Sequence, residues 1–557
     1  MSANILQYEV AEIDLGPAAD DARAELDVLF TDPAGTTRNV PAFASRGRWK
    51  VRYSSALTGL HRWSTDAAHG EIEIRPRTGT TTRRLDHGPL QVSGDGTTFE
   101  HADGTPFLWL GDTWWHGFVT EKISDEEFAD LASQRNQQGF TLVQIVAGLP
   151  CEVQPFDEAN RARAGFAWEE NFTAINDAWW DDADARIAAL VENDLVPCIL
   201  GSWGYHFRLL THEQFARHWR EMIARWSAYP VVWCISGEPN LPNYDELKDA
   251  RAGLTRAAQA QREAGGVSVR SEFGLEIVLD VPEIARAVAS QIDEHNRIAR
   301  HVRESDPFQR LVTTHMVPGI PAWTFIDDSV VDFWMLQTGH AGFNSLDPTH
   351  RILREALDRE PRKPVVNGEV NYEGIADTSY ADIQRFLFWS QLLAGAAGFT
   401  YGAHGVWAFN TDRFPGQHSG LAPHWKDAAQ FSGAAQIGVG RKVLDRYPWA
   451  TAKPAPRAID PHAGPANPRG PRAVEFPDGR RLIYVPSFGF QPKPANPIYS
   501  DLGQRRWRLD YVDIKSGELV GSDILDPDES GCAQIPGLLT GLPSWGDWLL
   551  ELTPLSS

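Results

Sequence analysis

The hydrophobic and polar positions follow three successive patterns along the chain. Residues 1–88 alternate short apolar–polar runs, such as "GRWKVRYS" and "GEIEIRP", with turns. Such alternation is typical of half-buried strands, so we predict an N-terminal β-sandwich over residues 1–88. Similar β-type runs return after a Pro-rich stretch near residue 455, and residues 446–557 are predicted to form a C-terminal β-sandwich.

Between these two regions, apolar runs alternate with helical patterns. The predicted strands are 107–112, 140–148, 195–203, 231–238, 311–316, 331–339, 364–369 and 398–405. Ser124 and Glu127 form a capping-box pattern at the start of the first helix, and 426–441 supplies the last helix. Eight such units indicate the α/β class and a closed (β/α)8 barrel over residues 89–445, with a doubly wound open sheet as the alternative.

One unit of the predicted barrel is irregular. A long, partly helical insertion at residues 241–287 separates the fourth strand from the fifth. Loops of this length in a compact domain are commonly functional. The insertion can therefore cap the mouth of the barrel.

Composition and charge narrow the function classes. The 557 residues carry a net charge of -22, and no Lys/Arg cluster stands out, so neither nucleic acid nor an anionic membrane surface is an expected partner. No apolar stretch approaches the roughly 20 residues that span a bilayer. The N-terminus "MSANILQYEV" lacks a secretory pattern, which predicts a cytoplasmic protein. Oligomeric state stays open.

The four cysteines are predicted to be reduced. Cys151, Cys198 and Cys234 lie in or beside apolar runs, and none of the four, Cys532 included, belongs to a CxxC pair. Buried thiols are the simplest interpretation, without a disulfide or a metal cluster. No HExxH, P-loop, Rossmann or nucleophile-elbow motif is present, so no cofactor or metal is predicted.

The carboxyl ends of the barrel strands carry the candidate chemistry, because barrel enzymes build their sites there. The polar and aromatic candidates are Asp112, Trp114, Trp115 and His116 after the first strand; Trp203, Tyr205 and His206 after the third; Glu238 and Asn240 after the fourth; His315 after the fifth; Gln337 and His340 after the sixth; Glu369, Asn371 and Tyr372 after the seventh; and His404 and Trp407 after the eighth. Two carboxylates among aromatic rings and hydrogen-bonding side chains are typical of a sugar site.

Glu238 and Glu369 are the predicted catalytic pair. They end similar segments, "VVWCISGEPN" and "PVVNGEVN", on the fourth and seventh strands. Cleavage of a glycosidic bond uses one carboxyl group as an acid and a second at the anomeric centre, about 5–5.5 Å apart for retention and ~6.5–9.5 Å for inversion. Either glutamate alone can be a loop residue near a helix start, but the pair in matching contexts indicates a glycosidase.

Several candidates have equally simple structural explanations. Asp112 can cap the turn before the first helix as well as bind substrate. Trp114 and Trp115 cannot both point inward, so one of them is the candidate sugar platform. The histidines are individually more often structural than catalytic. Glu373, four residues after Glu369, is predicted to be a solvated loop acid, with a catalytic role as the alternative.

The arrangement resembles clan A retaining glycoside hydrolases, with an acid after strand four and a nucleophile after strand seven. More narrowly, "DGTPFLWLGDTWWHGF", "VVWCISGEPN" and "KPVVNGEVNYEG" look like the apiosidase-like family, in which β-domains flank the barrel. The resemblance implies that Glu238 is the acid/base and Glu369 the nucleophile. The chain departs from the pattern at Gly237, where many clan A enzymes carry Asn, and in having Glu238 where apiosidase-like members often carry Asp.

Together these features predict a retaining glycoside hydrolase. Its substrates are expected to be small glycosides or oligosaccharides with apiose-like, arabinose-like or other plant or microbial glycan sugars, cleaved from the end. Two alternatives remain at this point: a non-catalytic carbohydrate-binding protein on a degenerate barrel, and a barrel hydrolase or lyase that depends on a metal.

Overall fold

The structure is a computed structural model of the chain. The residues it describes are 2–18, 25–79, 81, 83–242, 282–318, 320–416, 422–465, 467–487, 498–534 and 546–555. Most of the insertion predicted at 241–287 lies outside these residues. The statements below concern the described part of the chain.

The N-terminal region forms two packed sheets. Its strands are β1 (Ser2–Leu6), β2 (Ala11–Pro17), β3 (Asp27–Thr31), β4 (Thr37–Pro41), β5 (Phe43–Ser45), β6 (Arg48–Tyr53), β7 (Gly59–Ser64) and β8 (His69–Arg75). The order is β1-β8-β7-β3-β4 in one sheet and β2-β6-β5 in the other. Phe30 of the first sheet stacks on Tyr53 of the second, with ring centroids 4.1 Å apart. The predicted two-sheet arrangement is therefore present here.

A small antiparallel sheet leads into the barrel. Its strands are β9 (Leu90–Val92), β10 (Phe99–His101) and β11 (Pro106–Phe107), ordered β11-β10-β9. Phe99 on β10 packs against Trp109 at the start of the barrel, with ring centroids 5.7 Å apart. This sheet therefore borders the amino-terminal end of the barrel.

Eight parallel strands close into the predicted barrel, which excludes the open-sheet alternative. They are β12 (Trp109–Thr113), β13 (Leu142–Val146), β14 (Val196–Leu200), β15 (Val232–Gly237), β16 (Val312–His315), β17 (Trp334–Gln337), β18 (Val365–Glu369) and β19 (Gly398–Tyr401). Closure is made where β12 pairs with β19. Every residue of the eight strands is buried, which explains why the runs are apolar throughout rather than alternating.

The helices surround the barrel. Those that the structure describes are α1 (Asp125–Gln137), α2 (Asp177–Glu192), α3 (His212–Trp226), α4 (Pro282–Ser305), α5 (Leu346–Leu357), α6 (Ala381–Leu392), α7 (Trp425–Ala428) and α8 (Ser432–Leu444). The capping box of Ser124 and Glu127 is confirmed at α1. The single helix predicted over 426–441 is wrong: the extended backbone of Phe431 (φ -58°, ψ 139°) separates α7 from α8.

The C-terminal region again forms two sheets. Its strands are β20 (Lys453–Pro454), β21 (Ile459–Asp460), β22 (Arg472–Glu475), β23 (Arg481–Val485), β24 (Ile498–Tyr499), β25 (Trp507–Asp513), β26 (Leu519–Leu525), β27 (Ala533–Gln534) and β28 (Trp548–Pro554). The orders are β20-β22-β23-β28-β25-β26 and β21-β24-β27. Buried side chains of both sheets, such as Leu509 and Tyr499, share one core. The fold is thus a barrel flanked by sheet domains.

Buried arginines join both flanking regions to the barrel. Arg52 of β6 donates to Asp184 of α2 at 2.9 Å and to the carbonyl oxygen of Arg225 in α3 at 2.7 Å. Arg385 of α6 donates to both carboxylate oxygens of Asp547, beside β28, at 2.7 and 2.8 Å. A planar guanidinium suits such paired contacts.

Candidate active site

The two predicted catalytic carboxylates lie together at the carboxyl ends of the barrel strands. Glu238 directly follows β15, and Glu369 is the last residue of β18. Glu238 exposes 7% and Glu369 4% of its surface. The negative charge of Glu369 acts on the ionisation of Glu238. The pairing expected from the two sequence segments is therefore present in the fold.

Glu369 is surrounded by hydrogen-bond donors. Gln337 Nε2 donates to its Oε1 at 2.8 Å, and His340 Nε2 lies 2.6 Å from the same oxygen. His315 Nε2 lies 3.2 Å from Oε2. Burial alone raises the pKa of Glu369, but the nearby imidazoles of His315 and His340 outweigh it and hold the pKa well below its usual range. Glu369 is thus an anion at neutral pH.

Glu238 has the opposite character. Burial raises its pKa to about 7, and the charge of Glu369 acts in the same direction, against the nearby His315 and the hydrogen bond from Trp203. Its backbone φ of 45° lies in the left-handed region, which costs a residue other than glycine on the order of 1–3 kcal/mol. Glu238 is therefore a carboxyl group that can keep a proton near neutral pH, held in a strained backbone conformation of the kind that clusters at functional sites.

Gln337 lies beside both carboxylates. Its Nε2 donates to Glu369 Oε1 at 2.8 Å. Its amide is also close enough to Glu238 to favour the ionised form of that carboxyl group and so to act against the rise in its pKa. The two glutamates therefore share Gln337 as a neighbour.

Aromatic rings form the wall beside this pair. Trp115 packs edge-on against Trp203 and against His315, with ring centroids 5.4 Å apart in both cases. Trp115 Nε1 donates to the Tyr372 hydroxyl at 2.9 Å, and the Tyr372 ring stacks on Trp407 with centroids 6.0 Å apart. Burial and the nearby Glu369 carboxylate raise the pKa of Tyr372 well above its ordinary value.

The structure decides between the two adjacent tryptophans. Both rings are buried, but Trp115 belongs to the wall of the site, whereas Trp114 packs edge-on against Phe128 of α1, with ring centroids 5.0 Å apart. The expectation that only one of the pair points inward is consistent with this arrangement. The proposed substrate contact of Trp114 is not supported by its position.

Asp112 also lies away from the two glutamates. Its Oδ2 accepts from Arg135 Nε at 2.6 Å and from Trp114 Nε1 at 2.8 Å, and its Oδ1 accepts from the backbone N–H of Thr113 at 2.8 Å. Arg135 lies on α1, so the carboxylate faces that helix. These contacts support a structural role for Asp112 in the barrel wall rather than the predicted substrate contact.

Replacing Asp112 is therefore expected to affect stability first. Both side chains of the Asp112–Arg135 pair are fully buried, and Asp112→Ala leaves a buried, unpaired guanidinium. The free energy of unfolding should fall by about 3–5 kcal/mol in urea titrations. Asp14→Ala, which breaks the exposed pair with Arg48, is the control and should leave the free energy of unfolding almost unchanged. A stable Asp112→Ala enzyme with a raised KM would instead place Asp112 in the substrate site.

His116 is part of a buried polar cluster. Its Nε2 donates to the Cys151 carbonyl oxygen at 2.9 Å, and its Nδ1 accepts from Lys122 Nζ at 2.8 Å. Burial, together with the Lys122 charge, lowers the pKa of His116 well below its usual value, and burial lowers that of Lys122 to about 8. His116 and Lys122 line a cavity of about 260 Å³ with Arg413 and Phe414.

The other candidates after the third and fourth strands are also buried. His206 Nδ1 accepts from the backbone N–H of Trp203 at 3.2 Å, and burial lowers its pKa to about 3. The Tyr205 hydroxyl donates to the carbonyl oxygen of Pro150 at 3.3 Å. Asn240 Oδ1 has no hydrogen-bond partner within the described ranges. His206 and Tyr205 thus support the loops, whereas the predicted substrate contact of Asn240 stays a prediction.

Two candidates on the last strands position the loops. Asn371 Oδ1 accepts from the Gly342 backbone N–H at 3.1 Å, and its Nδ2 donates to the Gly342 carbonyl oxygen at 2.9 Å. His404 Nδ1 lies 3.4 Å from Nε1 of Trp407. Asn371 therefore ties the loop after β17 to β18, and His404 supports the Trp407 ring.

Glu373 differs from the solvated loop acid predicted for it. It exposes only 1% of its surface, accepts from the Tyr401 hydroxyl at 2.5 Å and accepts from the Gly433 backbone N–H at 3.0 Å. Gly433 lies in the first turn of α8, whose free N–H groups favour a carboxylate. The contact explains why a new helix begins there.

Cys151 is the neighbour of the site that sequence reasoning missed. Burial raises the pKa of the Cys151 thiol well above its usual value, and the charges of Glu152, Glu369 and Glu238 act in the same direction. The sequence supported the expectation of a buried, free thiol, which is confirmed. Its place after the second strand was the available signal, because all strand ends of a barrel meet at one mouth.

A barrel with carboxylates at the ends of its fourth and seventh strands has the architecture of a clan A glycoside hydrolase, and the protein is an enzyme of this class. Three solved structures share the fold. One named "Glycoside hydrolase" is 18% identical over 86% of this chain and 99% of its own, with a TM-score of 0.65. A glycoside hydrolase family 5 structure from Bacteroides vulgatus ATCC 8482 is 18% identical over 85% and 95%, with a TM-score of 0.63.

A third structure, also from Bacteroides vulgatus ATCC 8482, covers 99% of this chain and 100% of its own, with 14% identity and a TM-score of 0.65. The family model for the apiosidase-like catalytic domain matches residues 93–451. The chain belongs to the apiosidase-like family. A comparison with curated protein sequences finds no significant match.

No helix in the described ranges combines the length and apolar character needed to cross a membrane. No group of three or more His, Cys, Asp or Glu side chains in those ranges is arranged to hold a metal ion.

Proposed function

We propose that the enzyme hydrolyses glycosides by double displacement with retention of configuration, Glu369 being the nucleophile and Glu238 the acid/base. The observation that carries this proposal is a pair of buried carboxyl groups at one barrel mouth with different surroundings: Gln337 and His340 contact Glu369, whereas the Trp203 indole N–H donates to Glu238. These surroundings lower the pKa of Glu369, whereas burial raises the pKa of Glu238 to about 7. An ionised nucleophile beside a protonated acid is the division of roles that retention uses.

In the first step, a Glu369 oxygen attacks the anomeric carbon while Glu238 gives its proton to the glycosidic oxygen. The bond to the leaving group breaks, an alcohol departs and a glycosyl ester forms on Glu369. In the second step, Glu238 takes a proton from water as the water oxygen attacks the same carbon. The ester bond breaks, which frees the sugar and restores the Glu369 carboxylate and the protonated Glu238.

The burial of both carboxylates supports a small substrate. Glu238 and Glu369 expose 7% and 4% of their surface, and the rings of Trp115, Trp203 and Tyr372 are buried beside them. A site of this kind accepts the end of a glycoside more readily than the middle of a long chain. We therefore propose exo-action on small glycosides or oligosaccharides within the cytoplasm. The family name supports apiose-like sugars, with arabinose-like sugars next.

The test is hydrolysis of a panel of aryl furanosides and pyranosides, followed by NMR detection of the anomer that is released first. Retention requires that this anomer has the configuration of the substrate. Release of the opposite anomer would mean that water attacks the anomeric carbon directly. Glu369 would then be a base that activates this water and not a nucleophile. Measurable sugar binding without cleavage of any glycoside would support the binding-protein alternative.

The pH dependence follows from the two pKa directions. The pKa of Glu238 is raised to about 7, so the proton needed for the first step is present below that pH and is lost as pH rises through it. The pKa of Glu369 is lowered, so the nucleophile stays ionised well into the acidic range. Profiles of kcat/KM against pH should therefore fall above pH about 7 and show an acidic limb below the usual range of a glutamate. A fall beginning only above pH 9 would contradict the assignment of Glu238.

A further inference from the structure

We propose that Trp203 is the positioning residue for the acid/base: its indole N–H fixes which oxygen of Glu238 carries the proton, and Gly204 and Gly237 make room for this contact. The proposal rests on the function proposed above for Glu238. Trp203 would then do more than form part of the wall of the site.

The ends of β14 and β15 lie unusually close together here. The Gly237 backbone N–H donates to the Ser202 carbonyl oxygen at 2.9 Å, and Trp203 pairs with Gly237 as an isolated parallel bridge. A Cβ atom added to Gly204 would lie 2.2 Å from the carbonyl oxygen of Glu238. Only glycine at position 204 therefore allows the two segments to approach this closely.

The Trp203 indole lies on the α-carbon of Gly237. A Cβ atom at position 237 would lie 2.2 Å from Trp203 Cζ3 and 2.3 Å from Cε3, so the ring occupies the space of a side chain there. The ring is also held by Trp115 and His315, with centroids 5.4 and 5.8 Å away. In this position Trp203 Nε1 donates to Glu238 Oε2 at 2.9 Å.

The chemistry of an indole makes this contact directional. Its N–H only donates, so Oε2 must accept. A carbonyl oxygen accepts more strongly than a hydroxyl oxygen, so this contact favours the proton on Oε1, and Oε1 is the proposed donor to the leaving group. The same N–H favours the ionised form of Glu238. Trp203 thus keeps Glu238 able to release its proton in the first step and to act as a base in the second.

The test is the pH profile of kcat/KM for Trp203→Phe and Gly237→Ala. Trp203→Phe removes the donor and keeps a ring, and Gly237→Ala displaces the indole while keeping the donor. In both variants the basic limb, which is the fall of kcat/KM above pH about 7, should move to higher pH by about one unit. This is the size expected when a hydrogen bond to a charged group is lost. Trp114→Phe is the matched control: it removes an indole N–H that donates to Asp112 instead, so the basic limb of its pH profile should stay in place even if its stability falls.

A merely structural role for Trp203 would lower the rate and leave the basic limb unmoved. That result, in variants whose thermal unfolding is cooperative, overturns the proposal. A second measurement needs neither variant: in wild-type enzyme labelled with 5-fluorotryptophan, one ¹⁹F resonance should titrate with the pKa of Glu238 and stop titrating in Glu238→Gln. If no ¹⁹F resonance titrates in this way, the contact between Trp203 and Glu238 is contradicted. This readout works even if the wild type cleaves no glycoside, which would contradict the proposed function alone.

Discussion

Glu369→Gln is expected to lower kcat/KM by about 10⁴-fold or more, because loss of a covalent nucleophile in hydrolases costs up to about 10⁶-fold. An amide cannot form the ester with the anomeric carbon, although it fills the same volume and can still contact Gln337 and His340. The change also removes the negative charge that helps to raise the pKa of Glu238. Residual activity should therefore fall at a lower pH than in the wild type. The measurement is steady-state hydrolysis of the best aryl glycoside between pH 4 and 9. This range covers the fall in activity that the raised pKa of Glu238 predicts.

Glu373→Gln is the matched control for this experiment. It makes the same chemical change four residues later, in a buried carboxyl group that contacts Tyr401 and Gly433 rather than Glu238. We expect a lower unfolding temperature, because the substitution disturbs buried contacts. The loss of kcat/KM should stay below about tenfold. Equal losses in well-folded Glu369→Gln and Glu373→Gln would contradict the assignment of Glu369 as the sole nucleophile.

The barrel and its carboxylate pair could be predicted because their signals are local. Fully buried parallel strands have continuous apolar sequences. The apolar runs before Glu238 and Glu369 each end close to a charged residue. Once eight such runs are counted, the ends of the fourth and seventh must share one mouth. The two-sheet flanking regions were visible for the same reason, through the period of their alternation.

The direction of individual side chains was harder to predict. Asp112, near the end of β12, and Trp114, just after it, resemble Trp115 in the sequence, yet they contact Arg135 and Phe128 of α1. Strand periodicity no longer applies where a strand gives way to a loop, so sequence spacing cannot tell which residue points inward. The pairing of Asp112 with Arg135 depends on how α1 packs, which the pattern of single residues does not encode.

Gly237 shows the same limit over a longer distance. The sequence marks it only as a departure from the Asn of many clan A enzymes. The structure gives a physical reason for glycine, because the Trp203 ring fills the space that a side chain there would need. That contact joins two strand ends separated by more than thirty residues. No local pattern reports it, although both residues are visible in the sequence.

Glu238→Ala is expected to separate the two chemical roles of this residue. Loss of a general acid typically costs 10²–10⁴-fold, and the full loss should appear with sugar or alkyl leaving groups. In glycosides of 2,4-dinitrophenol the leaving group departs as a phenolate and needs no proton. The rate of the first step should therefore change little with these substrates. The second step then lacks its base, and the glycosyl ester on Glu369 should accumulate as a burst followed by slow turnover.

Azide provides the decisive control, because it attacks without a base and fits the space left by the carboxyl group. In Glu238→Ala it should restore turnover and yield a glycosyl azide with the configuration of the substrate, since Glu369 has already inverted that centre once. The basic limb near pH 7 should disappear with the dinitrophenyl substrate, because the group whose pKa is raised to about 7 is gone. An azide product of opposite configuration would mean that azide attacks the substrate directly, and Glu238, not Glu369, would then be the nucleophile.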